Sequence, residues 1–265
     1  WFIHDSVWTT LVKLFFDHVT GKLTNYDLIY SLALANFEEK EYCYAFENGW
    51  IPLSWYYTKL KNLTWINARN TRLLLNKFTF SKKQRKILRK KDIRVEVYDK
   101  LDDALFIIIS DIYKKYVQYK KYYEKDFEED SEHFEKQDYL DWKYFIYYYK
   151  DKPVAFTEVK VFDSKHVLTG QFAWDYQNPK LGMGTYATLH EIDWSIKNKC
   201  KKYYLSYGYE KSNLYKSRFD GFEFWNGRGW MNNKSLYKKL CEHDTDIDSL
   251  SDLNKYQRKY FEVIK

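Results

Sequence analysis

A change of hydrophobic period near residue 142 constrains this chain more than any other feature of its sequence. Before that point, apolar residues between Asp102 and Tyr119 recur every three or four positions, which predicts a long amphipathic helix. After it, the segment WKYFIYYYKDKPVAFTEVKVFDSKHVLTGQFAWDY holds three β-rich runs that are separated by KDKP and DSK. Runs of this kind with short polar breaks predict an antiparallel meander with tight turns.

A helix that opens with glycines is predicted after the meander. In LGMGTYATLHEIDWSIKNK, Gly182 and Gly184 precede apolar residues at helical spacing. KKYYLSYGY then predicts a strand, SNLYKSRF a short helix, and FEFWNGRGW a last strand with a turn. This order of elements resembles the latter part of the GNAT acyltransferase fold. The resemblance implies an α+β protein, in which a GNAT-like acyltransferase domain with a mainly antiparallel central sheet follows a smaller N-terminal α/β subdomain.

The expected domain boundaries follow from that order. We expect an N-terminal subdomain over residues 1–95, a GNAT-like catalytic domain over 96–240 and a helical tail over 241–265. Near the start, apolar residues at helical spacing predict an amphipathic helix that ends near Gly21. Asn25 is a good N-cap and predicts a second helix that runs through Asn36. The aromatic stretch that follows predicts no particular element.

A basic segment lies within the N-terminal subdomain. Seven of the ten residues from Lys82 to Lys91 are Lys or Arg, and two apolar residues among them supply an inward face, which predicts a basic helix. Two interpretations stay open. The segment is either a solvated surface or a contact for RNA phosphates, since clustered cations displace counterions from nucleic acid. The candidate nucleic-acid contacts are Lys82, Arg85 and Arg89, together with Arg218 from the later short helix.

Composition excludes several classes of protein. The net charge of +7 permits a polyanionic partner without requiring one. Cys43, Cys200 and Cys241 are far apart and show no metal-ligand spacing, so we expect neither a disulfide framework nor a metal site. No apolar stretch is long enough to span a bilayer, and the first residues lack the order of a signal peptide. We therefore expect a cytoplasmic protein without a membrane partner.

A more specific resemblance covers residues from Trp174 to Trp230. The arginyl-tRNA:protein transferases and the related bacterial leucyl transfer enzymes carry Tyr/Phe-Asp-Pro, then Ser-Leu-Gly entering a helix with Glu-Ile, then Tyr-Leu-Gly-Tyr, then Lys-Met-x-Tyr-Lys followed by Phe. This sequence offers, in the same order, Trp174-Asp175-Tyr176, Gly182 to Gly184 with Glu191-Ile192, Tyr204-Leu205-Ser206-Tyr207, and Leu214-Tyr215-Lys216 with Phe219. Upstream, Phe78, Ser81, Gln84 and Arg85 resemble the family's Phe-x-x-Ser-x-x-Gln-Arg-Arg segment.

Two departures from known patterns affect what the resemblance implies. The family's N-terminal part holds a cysteine cluster that binds a metal or an iron-sulfur centre, whereas this chain retains only Cys43 there. An acidic protein N-terminus, the family's usual acceptor, is therefore not implied. In GNAT enzymes the glycine loop binds the pyrophosphate of coenzyme A and starts with Gln or Arg, whereas Pro179 stands at that place in PKLGMG. This second departure weakens the case for coenzyme A.

Aminoacyl transfer from a tRNA ester to an amine requires a proton acceptor, donors for the oxyanion and orientation of both substrates. The catalytic candidates are Asp175, which coincides with the family's Asp, Glu158 within an apolar strand, and Tyr207, whose phenol could donate to the leaving 3′ oxygen. Each also has an ordinary structural interpretation as a turn cap, a solvated strand residue or a packing residue. The candidates for substrate binding are Gln171, Trp174, Gly182, Gly184, Tyr209 and Lys216.

Four functions stay open. The first is an aminoacyltransferase that moves an amino acid from tRNA to a protein or peptide N-terminus, with aminoacyl-tRNA as the donor substrate and no further cofactor. The second is an N-acyltransferase that uses acetyl-CoA or another acyl-CoA. The third uses the same tRNA donor with a non-protein acceptor, such as a modified nucleobase or a peptide natural product. The fourth is a protein that binds nucleic acid and has kept the fold without the activity.

Overall fold

The computed structural model describes residues 15–23, 26–53, 64–90, 92–120 and 142–244. Among these residues, no helix is both long enough and apolar enough to cross a membrane. The five helices are α1 (Tyr42–Glu47), α2 (Lys82–Leu88), α3 (Asp103–Lys120), α4 (Met183–Lys197) and α5 (Lys234–Asp244). The twelve strands of the described part are β1 (Phe15–Leu23), β2 (Tyr26–Asn36), β3 (Trp50–Leu53), β4 (Thr64–Asn67), β5 (Asn70–Leu74), β6 (Ile93–Tyr98), β7 (Lys143–Tyr149), β8 (Lys152–Phe162), β9 (His166–Trp174), β10 (Lys202–Tyr207), β11 (Phe222–Trp225) and β12 (Trp230–Met231).

An eight-stranded sheet forms the centre of the molecule, in the order β12-β11-β5-β10-β9-β8-β7-β6. Its neighbouring strands are antiparallel except for β9 and β10, which are parallel and are connected through α4. The predicted meander is confirmed as β7, β8 and β9, joined by tight turns in which Lys150, Asp151, Asp163 and Ser164 have positive φ. The strand order and the parallel crossover match the predicted α+β, GNAT-like acyltransferase fold.

Two helices cover opposite faces of this sheet. On one face, α3 packs Ile109 and Ile112 against a cluster that includes Ile146 and Phe156. The predicted amphipathic helix is thus confirmed, because its apolar face is the buried one. On the other face, α4 buries Leu189 in a second cluster that continues to α5. We call these two sides the α3 face and the α4 face.

The N-terminal part contains strands where the sequence pattern predicts helices. The helix expected to end near Gly21 is wrong for the described residues, since β1 spans Phe15–Leu23. The helix expected from Asn25 to Asn36 is also wrong, because β2 occupies Tyr26–Asn36 and pairs with β1 in an antiparallel hairpin. The segment YDLIYSLAL also carries apolar residues at every second position, which is the period of a strand. Pairing with β1 and β4 decides between the two periods.

Strands β1 to β4 form a separate four-stranded antiparallel sheet in the order β1-β2-β4-β3. Trp65 of β4 and Phe46 of α1 are fully buried against Phe162 and other residues of the α3-face cluster. Strand β5 follows this sheet directly in the chain but belongs to the large sheet, between β10 and β11. The domain boundary at residue 95 and the tail from residue 241 stay predictions, and residues 245–265 lie outside the described part.

Candidate active site

The parallel strands β9 and β10 separate along their length and leave a gap in the sheet. They pair only where Lys202, Tyr203 and Tyr204 lie opposite His166, Val167 and Leu168. Beyond these pairs the strands diverge, and a cavity of about 540 Å³ lies between their carboxyl ends, the start of α4 and the 3-10 segment Lys211–Arg218. The strand residues that line it are Thr169, Gly170, Phe172, Trp174, Tyr203, Leu205 and Ser206. Carboxyl ends of strands at such a switch point are common ligand sites in α/β proteins.

The predicted glycine-opened helix is confirmed and faces this cavity. Gly182 is the N-cap of α4, with φ +59°, and a side chain added there would meet no other atom within 4 Å. Gly182 and Gly184 both line the cavity. The first amide groups of an α-helix have no partner inside the helix, and the helix dipole favours negative charge near them. The start of α4 therefore has the chemistry to hold an anionic or oxyanionic group at the cavity.

A bulge in β9 brings a buried acid next to the cavity. The register of β8 and β9 shifts between Thr157 and Val159, at the level of Glu158 and Gly170. A methyl group on Gly170 would lie 2.9 Å from Glu158 Cβ, so only glycine fits there. Glu158 is 1% exposed, and its Oε2 accepts a hydrogen bond of 3.1 Å from the Gln171 amide. Burial raises the pKa of Glu158 to about 8.

A second buried acid, Glu191, lines the cavity itself. It comes from the third turn of α4, and its Oε2 accepts a hydrogen bond of 2.5 Å from the phenol of Tyr203. Burial raises the pKa of Glu191 to about 7, although hydrogen bonds from Tyr203, Thr169 and Thr157 act in the opposite direction. A carboxylate with this pKa can accept a proton near neutral pH, which is what the attack of an amine on an ester requires.

Lys216 fixes the diverging end of β10. It is 5% exposed, and its Nζ donates to the carbonyl oxygens of Leu205 at 2.7 Å and Tyr207 at 2.6 Å. Burial lowers its pKa to about 7. Ser206 lies between these carbonyls with φ +63°, a conformation that glycine adopts most easily, and the family pattern carries glycine at this place. The structure therefore gives Lys216 a contact with backbone, outside the lining of the cavity.

Other predicted site residues lie beside the cavity. Asp175 is 15% exposed at its side chain, its Oδ1 accepts from the Gln177 amide at 2.9 Å, and it caps a turn outside the cavity lining. Gln171 donates its side-chain amide to the Phe172 carbonyl. Trp174, by contrast, lines the cavity.

The two predicted tyrosines point away from the cavity. The phenol of Tyr209 accepts from the Arg69 amide at 3.0 Å, and the Arg69 guanidinium lies 4.7 Å from the centre of its ring. Tyr207 packs against the α3-face cluster. The structure brings Trp174, Gly182 and Gly184 together at the cavity, with Glu158 directly behind Gly170.

The basic segment lies next to the glycine loop. Helix α2 begins with a capping box between Ser81 and Gln84 and packs against α4. Lys90, just after the helix, donates its Nζ to the carbonyl oxygen of Leu181, the residue before Gly182. The predicted nucleic-acid contacts on this segment, Lys82, Arg85 and Arg89, are exposed, and so is Arg218 on the 3-10 segment. Arg85 also donates to the Phe80 carbonyl.

The lining residues that were not among the predicted site residues include Glu191 and Tyr215. Glu191 stands inside a helical pattern, where a carboxylate is usually solvated, and its only sequence signal is the Glu-Ile pair of the family pattern. Tyr215 precedes Lys216 in the family pattern and lines the cavity from the 3-10 segment. Their positions depend on the packing of α4 and of the 3-10 segment against β10, which local sequence does not encode.

Comparisons with known proteins identify no family for this chain. No protein-family model matches the sequence, and no curated protein matches it. Among solved structures, the C-terminal domain of a protein described as a lysylphosphatidylglycerol synthetase from Agrobacterium fabrum is 12% identical, with a TM-score of 0.43, over 68% of this chain and 54% of that one. L-PGS from Bacillus licheniformis is 12% identical, with a TM-score of 0.41, over 78% of this chain and 71% of that one. FemX is 10% identical, with a TM-score of 0.40, over 52% of each chain.

The chain thus spans about half the length of two of these three structures, at 54% and 52%. Similarity at this level concerns the arrangement of sheet and helices alone. The arrangement of the described residues, with its parallel β9 and β10 and its glycine-opened α4, agrees with the GNAT-like fold expected from the sequence.

Proposed function

We propose that the protein is an aminoacyltransferase that moves an amino acid from tRNA to an amine. The observation that carries the proposal is the cavity between β9 and β10, which joins a helix N-terminus to the buried acid Glu191. The motifs from Trp174 to Trp230 support the same activity, because their order resembles that of the arginyl-tRNA:protein transferases.

The choice of donor rests on the position of the basic segment. Lys82, Arg85 and Arg89 are exposed on the helix that packs beside α4, close to the loop at Gly182. Phosphate contacts from such a segment would hold an RNA whose charged end enters the cavity. An acyl-CoA donor is the second candidate, because the open N-cap at Gly182 also suits a pyrophosphate. Pro179, in place of the usual Gln or Arg, counts against it.

The reaction needs one proton acceptor and one proton donor. The amine nitrogen attacks the ester carbonyl, the bond from carbonyl carbon to ribose oxygen breaks, and the proton lost by the amine ends on that oxygen. We assign proton acceptance to Glu191, whose hydrogen bond from Tyr203 orients its carboxylate, and the protonated Glu191 then donates that proton to the leaving ribose oxygen. Amide groups at the start of α4 would stabilise the oxyanion. Glu158 lies behind Gly170 and is not assigned the proton transfer. Asp175 would hold the turn after β9.

The acceptor is the least specified part of the proposal. The resemblance favours a protein or peptide N-terminus, but the chain lacks the cysteine cluster of that family. None of its three cysteines forms a disulfide; Cys43 is exposed, whereas Cys200 and Cys241 are buried. We therefore also propose a non-protein amine, such as a modified nucleobase or a peptide natural product, as the acceptor to test first.

The proposal is tested by incubating the protein with a mixture of radiolabelled aminoacyl-tRNAs and a cell extract, with the Glu191→Gln variant as the matched control. We expect label in ribonuclease-resistant, acid-stable material, and fractionation into protein and small molecules identifies the acceptor class. Transfer from labelled acetyl-CoA combined with no transfer from any charged tRNA would replace the tRNA donor with coenzyme A. Failure of both donors would contradict the proposed activity.

A further inference from the structure

Three aromatic rings form a continuous stack at the edge of the cavity. The ring of Tyr119 lies parallel to that of Tyr176, with the centres 3.9 Å apart and an interplanar angle of 7°, and the ring of Trp174 contacts Tyr176 at 4.0 Å with a tilt of 36°. Trp174 and Tyr176 line the cavity, whereas Tyr119 is 59% exposed. We call these three residues the aromatic stack. It leads from the cavity wall to the surface of the molecule.

The stack is held by contacts between α3 and the turn after β9. Tyr119 belongs to the last turn of α3, and Tyr116, one turn earlier, also packs beside Tyr176 with its ring centre 5.9 Å away. The ammonium of Lys120 lies 5.5 Å from the centre of the Tyr176 ring. The Asx turn at Asp175 fixes the direction of the chain into Tyr176. Contacts within α3 and within the turn after β9 therefore hold the aromatic stack in place without a bound ligand.

Position 176 also sets this chain apart from the transferases that it resembles. Those proteins carry Pro after the Asp of this motif, whereas this chain has Tyr176. A proline at this position would have no aromatic ring to contact both Trp174 and Tyr119. The stack is thus a feature of this sequence, and the family pattern does not account for it.

A stack of this composition has the chemistry of a single-stranded nucleic acid site. Aromatic side chains on which successive bases stack, next to positive charge, are the common means of binding unpaired nucleotides. The parallel rings of Tyr119 and Tyr176, whose centres are 3.9 Å apart, come close to the rise of about 3.4 Å between bases in a strand. Resting on the proposed function, we infer that the outer face of Tyr119 stacks with an unpaired base near the 3′ end of the donor RNA.

The geometry gives the stack a direct role in placing the reactive ester. If the aminoacyl group occupies the cavity beside Trp174, the bases that precede it in the strand leave along the direction of Tyr176 and Tyr119. One further base on Tyr119 continues the same column of rings. The ammonium of Lys120, near the Tyr176 ring, supplies positive charge beside that column. The stack would select an unpaired end over a closed duplex.

The test measures binding of two RNA hairpins that share a stem, one with an unpaired 3′ end and one blunt. The variants are Tyr119→Ala and Tyr119→Phe, and the matched control is Ile107→Ala, which changes a residue of the same helix that is 68% exposed. We expect Tyr119→Ala to bind the hairpin with the unpaired end about 5- to 160-fold more weakly, because stacking of one base contributes about 1–3 kcal/mol. Tyr119→Phe and Ile107→Ala should bind the hairpin with the unpaired end about as tightly as the unchanged protein does. For the blunt hairpin, all three variants should have about the affinity of the unchanged protein.

A fluorescent adenine analogue near the 3′ end of the first hairpin should be quenched by the unchanged protein and by Tyr119→Phe, but not by Tyr119→Ala. Equal affinity of Tyr119→Ala and the unchanged protein for the hairpin with the unpaired end would overturn the inference. If the protein still transfers amino acids from tRNA in that case, the proposed function stands. Coenzyme A binding that depends on Tyr119, without any RNA binding, would overturn both.

Discussion

The two faces of the large sheet each bury an acid, and their surroundings differ. Glu191, on the α4 face, lines a cavity and accepts a hydrogen bond from Tyr203. Glu158, which shares a strand face with Phe156, is 1% exposed, and its Oε1 has no hydrogen-bond partner among the described residues. Burial raises both pKa values, to about 7 and about 8. Open space beside Glu191 makes it the better candidate for contact with substrate, although Glu158 has the more perturbed pKa.

The different roles of Glu191 and Glu158 are tested most sharply by replacing each carboxylate in turn with an uncharged amide. Glu191→Gln should lower the rate of aminoacyl transfer by about 100-fold or more, since general bases contribute about 10²–10⁴ in rate. Glu158→Gln should have the smaller effect, because the carboxylate lies behind Gly170. Single-turnover transfer rates at saturating donor measure both variants. A larger loss in Glu158→Gln would exchange the two roles.

The bulge that holds Glu158 behind Gly170, next to the cavity, can be tested by substituting Gly170. An alanine there would place its methyl group 2.9 Å from Glu158 and from the Trp142 ring. Overpacking of this kind costs about 1–3 kcal/mol, so Gly170→Ala should lower the free energy of unfolding by that amount. Gly229→Ala is the matched control, because a methyl group there meets nothing within 4 Å. Equal stability of the two variants in urea unfolding would show that β9 has no tight bulge.

The pH dependence of stability sharpens the comparison further. A buried acid with a raised pKa binds its proton more tightly in the folded state, so the free energy of unfolding falls as pH rises from the ordinary value of 4.5 towards about 8 for Glu158. Each unit of the raised pKa corresponds to about 1.4 kcal/mol. Glu158→Gln should therefore flatten this fall between about pH 5 and pH 8. Some decline should persist from Glu191, and an unchanged slope would contradict the burial of Glu158.

The smallest expected effect concerns the basic segment. Replacing Lys82, Arg85 and Arg89 by Gln should weaken tRNA binding and make it less sensitive to salt, because each lost phosphate contact lowers the slope of log affinity against log salt by about 0.7–0.9. The matched control replaces Lys238 and Lys239, which are exposed on α5. Equal slopes for the two variants would leave the segment as an ordinary solvated surface.

The sequence predicts local elements well where one period dominates. The long apolar stripe of α3, the meander and the glycine-opened α4 each depend on neighbouring residues, and each is found. The segment Tyr26–Asn36 fits both a helical and an alternating period, and only its pairing with β1 and β4 makes it a strand. Strand β5 joins the large sheet beside β10, which lies far along the chain, so its place is invisible to local patterns.

The site residues divide in the same way, into those that a local motif identifies and those whose position depends on tertiary packing. Gly182, Gly184 and Trp174 are marked by the motif and do line the cavity. Glu191 is half of a pair whose other member, Tyr203, comes from the next strand, so helical spacing alone cannot reveal it. Asp175 matches the family's Asp, yet its Oδ1 accepts a backbone amide within its own turn. A motif thus identifies a position in the sequence, whereas tertiary packing determines whether the side chain at that position faces the cavity.

The most direct test of the account is the pH dependence of single-turnover transfer from aminoacyl-tRNA, from about pH 5.5 to about pH 8.5, at saturating donor. With Glu191 as proton acceptor, the rate should rise about tenfold per pH unit below its pKa of about 7 and level off above it. In Glu191→Gln this rise should be lost. A Glu191→Gln profile that keeps both the rise and the rate of the unchanged protein would contradict the assignment of the α4 face as the reactive side.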